Sequence, residues 1–423
     1  MCADSEWFVY SFRVGYIIIQ GLIQDDYSTH LSGLLHLNRF HMFRIGLVLV
    51  IAMLMLMSCQ REKSVLPEFS CPVENGKTHT LRKAAELVLT GDTLGVPASP
   101  VYRVLPEHRI VFYNSLIHSL DIYDLQQGDL TERIPLEEEG PNGVAGLLDF
   151  YWHNRDSIFV RSRSDVLLIN TRSEVKDRYE PDYWSPEDFV FLDYFAEPYL
   201  ELRLEYIPTL RALQLYGVLP EGKMHKSCMV LYDVDRKEII RTFGQYPEVY
   251  RQRQYFSLFD DPSAIVVGQK AYLSFGPDNG VYVYDILTGE LLESSCARSA
   301  SFPASFRGIS LDKQNVQDMV NYETTAPLYL KTVYDPWRNI FYRFCKHAQP
   351  LKGAGGKMNP RWGGRWSILL LDDQLQTIGE YPFDGKAYDI LFSFVSEKGL
   401  NILAGSGERE EQLRYQTFML DEI

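Results

Sequence analysis

Val283-Tyr284-Asp285-Ile286-Leu287-Thr288-Gly289-Glu290-Leu291 decides the fold. An apolar and aromatic run leads into an acid, a Thr-Gly turn follows, and a second run begins. The same phrase returns at Ile122-Tyr123-Asp124-Leu125 and Leu231-Tyr232-Asp233-Val234, with weaker copies at Leu168-Ile169-Asn170, Leu370-Leu371-Asp372 and Phe418-Met419-Leu420-Asp421. The acid or amide positions stand 46, 63, 52, 87 and 49 residues apart. A repeat of that period marks a solenoid, propeller or array, and strand-rich units select the propeller. The carboxylate of the repeated Asp accepts backbone N–H groups in the turn, which makes it a turn former rather than a catalytic acid.

Outward from this phrase, each unit reads as a four-stranded meander. Around the second copy, Leu148 to Trp152, Ser157 to Ser162, Val166 to Asn170 and Glu174 to Tyr179 are strand-like runs parted by His-Asn-Arg-Asp, Arg-Ser-Asp and Thr-Arg-Ser turns. The expected fold class is all-β, a β-propeller of six blades of four-stranded antiparallel sheets. The alternative is a seventh or eighth blade hidden in the 87-residue interval, where Ser310 to Tyr322 instead reads as a helical insertion flanked by Pro303 and Pro327. Glu86-Leu87-Val88-Leu89 stands alone before the first unit, and beside Leu413 to Leu420 it would complete the last blade and leave no open edge. Aromatic content of 13%, with 27 Tyr, fits strands. The formal charge of −14 argues against nucleic acid and anionic lipid headgroups as partners.

The N-terminal region carries an address. Ile45 to Met57 holds no polar side chain, follows Arg39, His41 and Arg44, and ends at Ser58-Cys59, the layout of a signal peptide that is too short to span a bilayer. Leu56-Met57-Ser58-Cys59 is similar to a lipobox, so Cys59 is expected to be lipidated and to begin the mature chain. Residues 42–58 are then the signal, 1–41 an over-extension upstream of a start at Met42, 59–78 a largely polar tether and 79–423 the propeller. No acidic run follows Cys59, and Gln60 is unlike an inner-membrane retention signal, which favours an outer-membrane anchor facing the periplasm, with surface exposure as the alternative.

Chemistry is harder to find. Cys71, Cys228, Cys296 and Cys345 allow two disulfides in three pairings in an oxidising compartment, while the apolar surroundings of Cys228 and Cys345 read as core. The nine His show no HxH or HExxH spacing, and Asp278-Asn279-Gly280 lacks the remaining ligands of a calcium loop, so no metal or other cofactor is assigned. Gly308-Ile309-Ser310-Leu311-Asp312 and Gly405-Ser406-Gly407 are not nucleophile elbows, and Gly353-Ala354-Gly355-Gly356-Lys357-Met358 lacks the first Gly and the Ser/Thr of a phosphate loop. Asp149, Asp193 and Glu205 are acids near inner-strand positions and read as ordinary carboxylates. The segment from Gly353 to Trp366 stands out, because Lys357, Arg361 and Arg365 alternate with Trp362 and Trp366 in an otherwise acidic chain. Lys357, Arg361, Trp362 and Arg365 are therefore the candidate ligand-binding loop, for sugar stacking or carboxylate recognition. The competing reading places Trp366 in the core at the start of a strand. Gln245-Tyr246-Pro247 to Tyr250 reads as an inter-blade packing turn.

The lipobox, the Tyr-Asp hairpins, Phe243-Gly244-Gln245-Tyr246-Pro247-Glu248-Val249-Tyr250 and Ser396-Glu397-Lys398-Gly399-Leu400-Asn401-Ile402-Leu403 resemble an uncharacterised family of Bacteroidota lipoproteins. The resemblance implies a six-bladed TolB-like propeller in the cell envelope and supplies no catalytic residues. Two functions are expected to compete. The first is a non-enzymatic, lipid-anchored module that binds an envelope protein or glycan, and the second is a glycan- or lactone-directed hydrolase or lyase working from the central channel. The absence of a catalytic motif favours binding.

Overall fold

The computed structural model describes residues 66, 71–72, 78–92, 96, 99–162, 165–179, 203–216, 228–251, 254–257, 262–310, 315–405 and 412–423. Cys59, the signal segment, the upstream residues and Asp193 lie outside them. Strand β1 spans His79–Thr90. Blade one follows with β2 (Tyr102–Leu105), β3 (Arg109–Asn114), β4 (Ser119–Asp124) and β5 (Leu130–Pro135). Blade two is β6 (Asp149–Asn154), β7 (Ser157–Arg161), β8 (Val166–Ile169) and β9 (Val175–Tyr179). Blade three is β10 (Glu205–Ile207), β11 (Ala212–Tyr216), β12 (Met229–Asp233) and β13 (Glu238–Phe243). After a short β14 (Gln254–Tyr255), blade four is β15 (Pro262–Val267), β16 (Lys270–Phe275), β17 (Gly280–Asp285) and β18 (Leu291–Cys296). β19 (Ile309–Ser310) pairs with β14, and helix α1 covers Val316–Thr325. Blade five is β20 (Leu328–Asp335), β21 (Ile340–Lys346), β22 (Arg365–Leu371) and β23 (Thr377–Asp384). Blade six is β24 (Tyr388–Ser396), β25 (Gly399–Ala404) and β26 (Gln412–Glu422), completed by β1 from the other end of the chain.

These six four-stranded antiparallel sheets form a six-bladed β-propeller. β1 pairs with β26, as the solitary run Glu86–Leu89 led one to expect, with Leu89 opposite Leu413 and Leu87 opposite Tyr415, so that blade six takes strands from both ends of the ring. Closure demands a glycine at one point. Gly128 has φ +84°, its carbonyl accepts the Thr90 N–H at 2.7 Å, and a Cβ there would stand 2.0 Å from the Val88 carbonyl oxygen of β1. The 87-residue interval holds no extra blade; it holds α1 and the long β21–β22 connection.

The repeated phrase performs two jobs at once. Its carboxylate or amide oxygen caps the turn after the third strand. Asp124 accepts Gln126 and Gln127 N–H at 2.6 and 2.8 Å, Asp233 accepts Asp235 and Arg236 at 2.9 Å, and Asp285 accepts Leu287 and Thr288 at 2.8 Å. Asn170 and Asp372 do the same in blades two and five. The preceding Tyr fills the seam toward the neighbouring blade: Tyr123, Tyr232 and Tyr284 are all buried, Tyr232 meets Tyr179 of blade two edge-on, and Tyr284 lies against Phe243 of blade three. Apolar clusters occupy the seams between blades six and one, one and two, and two and three, and a continuous cluster runs through blades three to six.

An antiparallel meander also sorts its connections. First-to-second and third-to-fourth strand turns leave one face of the ring, and second-to-third loops and blade-to-blade connections leave the other. On the first face the turns are tight, as at 106–108, 268–269 and 286–290. The second face carries 136–148, the connection that includes α1, and 347–364. Among the described residues the additions to the meander thus gather on one face, chiefly over blades four and five.

Candidate functional site

The inner strands β2, β6, β10, β15, β20 and β24 line the axis, where a channel enzyme would hold its chemistry. Many of their polar side chains are instead held by neighbouring side chains and backbone groups. The Arg103 guanidinium, buried, donates to Asp149 Oδ2 at 3.1 Å and to the Leu204 carbonyl at 2.9 Å, while Asp149 also accepts the Leu204 N–H at 2.6 Å. Lys331 Nζ donates to the Leu391 carbonyl at 2.8 Å, and Thr332 bonds to Ser263 and Ser274 of blade four. Burial raises the carboxyl pKa of Asp389, which accepts the Leu391 N–H at 2.9 Å. Glu205 stands opposite Gln214 across the first hairpin of blade three. Among the described residues no three His, Cys, Asp or Glu side chains come together as a metal-binding group.

A larger opening lies on the loop-bearing face at blade four. It encloses about 600 Å³ and is lined by Pro247 to Val249, Gln254, Pro277 to Gly280, Tyr282, Arg298, Ala304 to Arg307, and, from the N-terminal segment, Leu66, Cys71 and Pro72. Cys71 is disulfide-bonded to Cys296, whereas Cys228 and Cys345 are buried and free, so one of the permitted bridges exists and the core reading of the other two cysteines holds. Arg298 donates to the Cys71 carbonyl at 3.2 Å and to the Phe302 carbonyl at 2.9 Å, which binds the N-terminal segment and the 297–307 connection to one side chain. Arg307 is exposed at the rim and forms no ion pair among the described residues.

The floor of this cleft is built around one buried cation. Arg343, on β21, has no exposed surface and donates to the carbonyls of Asp278, Ala297 and Asn279 at 2.7, 2.9 and 3.1 Å. Its guanidinium lies 3.5 Å from the ring centroid of Tyr329. The Tyr329 hydroxyl donates to Asn279 Oδ1 at 2.8 Å, and Asn279 Nδ2 donates to the carbonyls of Pro303 and Ala304. One residue from β21 and one from β20 thereby fix the β16–β17 loop and the following connection. Asp278 and Asn279, which sequence reading weighed against a calcium loop, serve this framework. Asp278 Oδ2 accepts the Tyr282 hydroxyl at 2.8 Å and the Gly280 N–H at 3.1 Å, and burial raises its pKa. Burial lowers that of Arg343.

The candidate loop residues occupy different environments. Lys357 and Arg365 are exposed, Arg361 pairs at 2.6 Å with the buried Glu323 of α1, and the half-buried Trp362 packs on the core of blades three to six. Trp366 is 1% exposed and stacked between Phe344 and Phe383, so the core reading holds for it. Tyr246 and Tyr250 are likewise buried against Phe275 as inter-blade packing. Beneath the loop, Lys346 Nζ donates to the Thr324 and Ala326 carbonyls at 3.1 and 2.9 Å, and burial pulls its pKa down to about 8.

One constellation escaped sequence reading altogether. His347 Nε2 lies 2.8 Å from Ser367 Oγ, and Ser367 Oγ donates to Glu380 Oε1 at 2.6 Å, an atom that also accepts Ser299 Oγ. The residue types are those of a hydrolase triad, but the order is wrong. In a triad the histidine stands between acid and serine and takes the serine proton. Here Ser367, 1% exposed, stands in the middle and gives its proton to the acid, which makes the set a tie between blade five and the 297–307 connection.

No curated protein matches the chain. Among solved structures, a member of the DUF4221 family from Bacteroides vulgatus ATCC 8482 superposes with a TM-score of 0.66 at 18% identity, over 82% of this chain and 100% of that one. A Bacteroides fragilis NCTC 9343 protein named as exported gives a TM-score of 0.53 at 12% identity, over 84% of this chain and 98% of that one. Both likenesses concern the fold. The family description "Domain of unknown function (DUF4221)" matches residues 92–382, from the approach to blade one to the last strand of blade five, and the chain belongs to that family.

Proposed function

We propose that this chain is a lipid-anchored, non-enzymatic binding protein of the cell envelope that takes an anionic group of its ligand into the cleft at blade four. The carrying observation is the cleft itself: a volume of about 600 Å³, within the size range of small-ligand sites, with Arg298 and Arg307 in its lining and the buried Arg343 beneath. Arg298 spends three donor contacts on carbonyls, and a guanidinium has five N–H groups, so two remain for a planar anion. Because Arg343 and Asn279 hold the surrounding backbone, the site is largely formed before the ligand arrives. The signal-like layout of residues 42–58 before Cys59, a disulfide suited to an oxidising compartment and the exported character in the name of the Bacteroides fragilis protein support the address. The competing hydrolase or lyase reading has no catalytic motif in the sequence to support it.

The test is a thermal-shift and calorimetric screen of acidic and neutral oligosaccharides and small carboxylates. Binding of acidic members, weakened at least tenfold by Arg298→Gln with Arg307→Gln, is expected. Equal binding of neutral members, or binding indifferent to both substitutions, overturns the reading.

A further inference from the structure

The tip of the β21–β22 connection is a small hairpin that none of the foregoing uses. Lys352 and Met358 form its bridge, the Gly353 N–H donates to the Lys357 carbonyl at 2.9 Å, and Gly356 takes the turn with φ +73°. Its foot is pinned by the Asn359 N–H on the Leu351 carbonyl and by Asn359 Nδ2 on the Pro350 carbonyl. Behind it, Arg361 grips Glu323 of α1. On the hairpin's bridge Met358 is 46% exposed, with Lys352 opposite it and Lys357 next to it. Lys352, Lys357 and Arg365 are exposed and form no ion pair among the described residues. A hairpin that presents an apolar residue between two exposed lysines is poorly suited to plain solvent, and well suited to a surface that is apolar below and anionic above.

A second observation fixes which face such a surface would meet. Leu66 is buried in the core, and Cys71 is bonded to Cys296 beside the loop-bearing end of blade four, the neighbour of the blade that carries the hairpin. Six residues lie between Cys59 and Leu66, and the seven steps reach about 25 Å at most when fully extended. We infer that the loop-bearing face docks on an anionic membrane surface through the 351–359 hairpin, Met358 entering the headgroup boundary while Lys352, Lys357 and Arg365 meet lipid phosphates. The orientation rests on the lipid-anchored reading of Cys59; the headgroup contact does not. The overall negative charge is no obstacle. Glu137, Glu138 and Glu139, the acidic run of the same face, lie between blades one and two, across the ring from blade five, and charges beyond about 8 Å are largely screened at physiological salt.

The experiment uses the chain from residue 59, which contains every described residue, with Cys59→Ser so that no acyl chain contributes. It is mixed with vesicles of phosphatidylglycerol and phosphatidylcholine in equal parts, or of phosphatidylcholine alone. Expected is salt-sensitive sedimentation with the anionic vesicles; each lysine contributes about fivefold to partitioning, so Lys352→Ala with Lys357→Ala lowers it about 25-fold. An environment-sensitive fluorophore on Met358→Cys is expected to brighten with anionic vesicles, and the same label on Gln374→Cys, in a turn of the same blade on the opposite face, to stay unchanged. The remaining cysteines are buried or bonded, so labelling is specific. Binding equal for both vesicles, a double variant that binds as well as the parent, or equal responses at 358 and 374 would overturn the proposal. Binding of the acidic oligosaccharides and carboxylates in the cleft is measured in parallel on the parent and on the lysine variant, which keeps Arg298 and Arg307; cleft binding by a parent that fails to bind anionic vesicles overturns the docking surface alone.

Discussion

Arg343 lies flat over Tyr329, its guanidinium 3.5 Å from the ring centroid, and the two side chains together decide where the loops around the cleft run. Without the cation, the carbonyls of Asp278, Asn279 and Ala297 lose buried donors. Leaving such groups unpaired costs about 1 to 3 kcal/mol each, reduced where the loops relax toward water. Arg343→Met is therefore expected to destabilise the protein by roughly 3 kcal/mol in urea unfolding and to abolish cleft binding. Arg343→Lys is expected to rescue little of either, because an ammonium lacks the planar fork and the stacking face. Full ligand affinity in Arg343→Lys would show that the framework does not depend on that geometry.

The Cys71–Cys296 bridge joins positions 225 residues apart and forms one wall of the cleft. Cys296→Ser is expected to lower stability by about 2 to 4 kcal/mol and to weaken cleft binding, because Arg298 also loses its fixed acceptor on Cys71. Reductant should reproduce the effect in the parent and leave the variant unchanged. A melting temperature insensitive to reductant would exclude a structural role for the bridge.

What the sequence disclosed, and what it hid, follows from the range of the interactions. Asp124, Asp233 and Asp285 cap turns through N–H groups two and three residues away, so the repeat is written locally, and the solitary β1 run had nowhere to pair but the last blade. Arg343, by contrast, holds carbonyls 46 to 65 residues distant, and nothing around it in the sequence distinguishes it from a surface arginine of a strand. Arg361 has a partner that the sequence hid for the same reason. It stands in a glycine-rich loop like a free cation, yet Glu323, 38 residues earlier, claims it from α1. The cystine was one of three pairings until the fold placed Cys71 beside β18.

The turn caps give a graded prediction. In Asp285→Asn the side-chain oxygen still accepts the Leu287 and Thr288 N–H groups, and in Asp285→Ala both are lost. The alanine variant is expected to lose about 1 kcal/mol, and the asparagine variant clearly less. At Asp124 the two backbone donors hold the carboxyl below its ordinary pKa. Its contribution is therefore complete above the unfolded value of 3.8 and fades as pH falls below it. The measurement is the difference in unfolding free energy between parent and Asp124→Asn from pH 6 downward, and a difference that grows on acidification would contradict the assignment.

Lys346 makes the sign run the other way. Burial lowers its pKa from 10.5 to about 8, even though Glu323 nearby favours the charged form. Between these values the unfolded chain binds the lysine proton more strongly than the folded one, so this group makes stability rise with pH across the window, by up to about 3 kcal/mol, with the full penalty present below pH 8. Lys346→Met removes the titration together with the bonds to the Thr324 and Ala326 carbonyls. The lost bonds shift stability at every pH alike, whereas the titration changes only the slope. The expected result is that the parent gains on the methionine variant as pH rises from 8 to 10.5, with other groups cancelling in the difference. A constant offset over that range would mean that Lys346 keeps its proton as an ordinary lysine does, held by the two carbonyls at the end of α1.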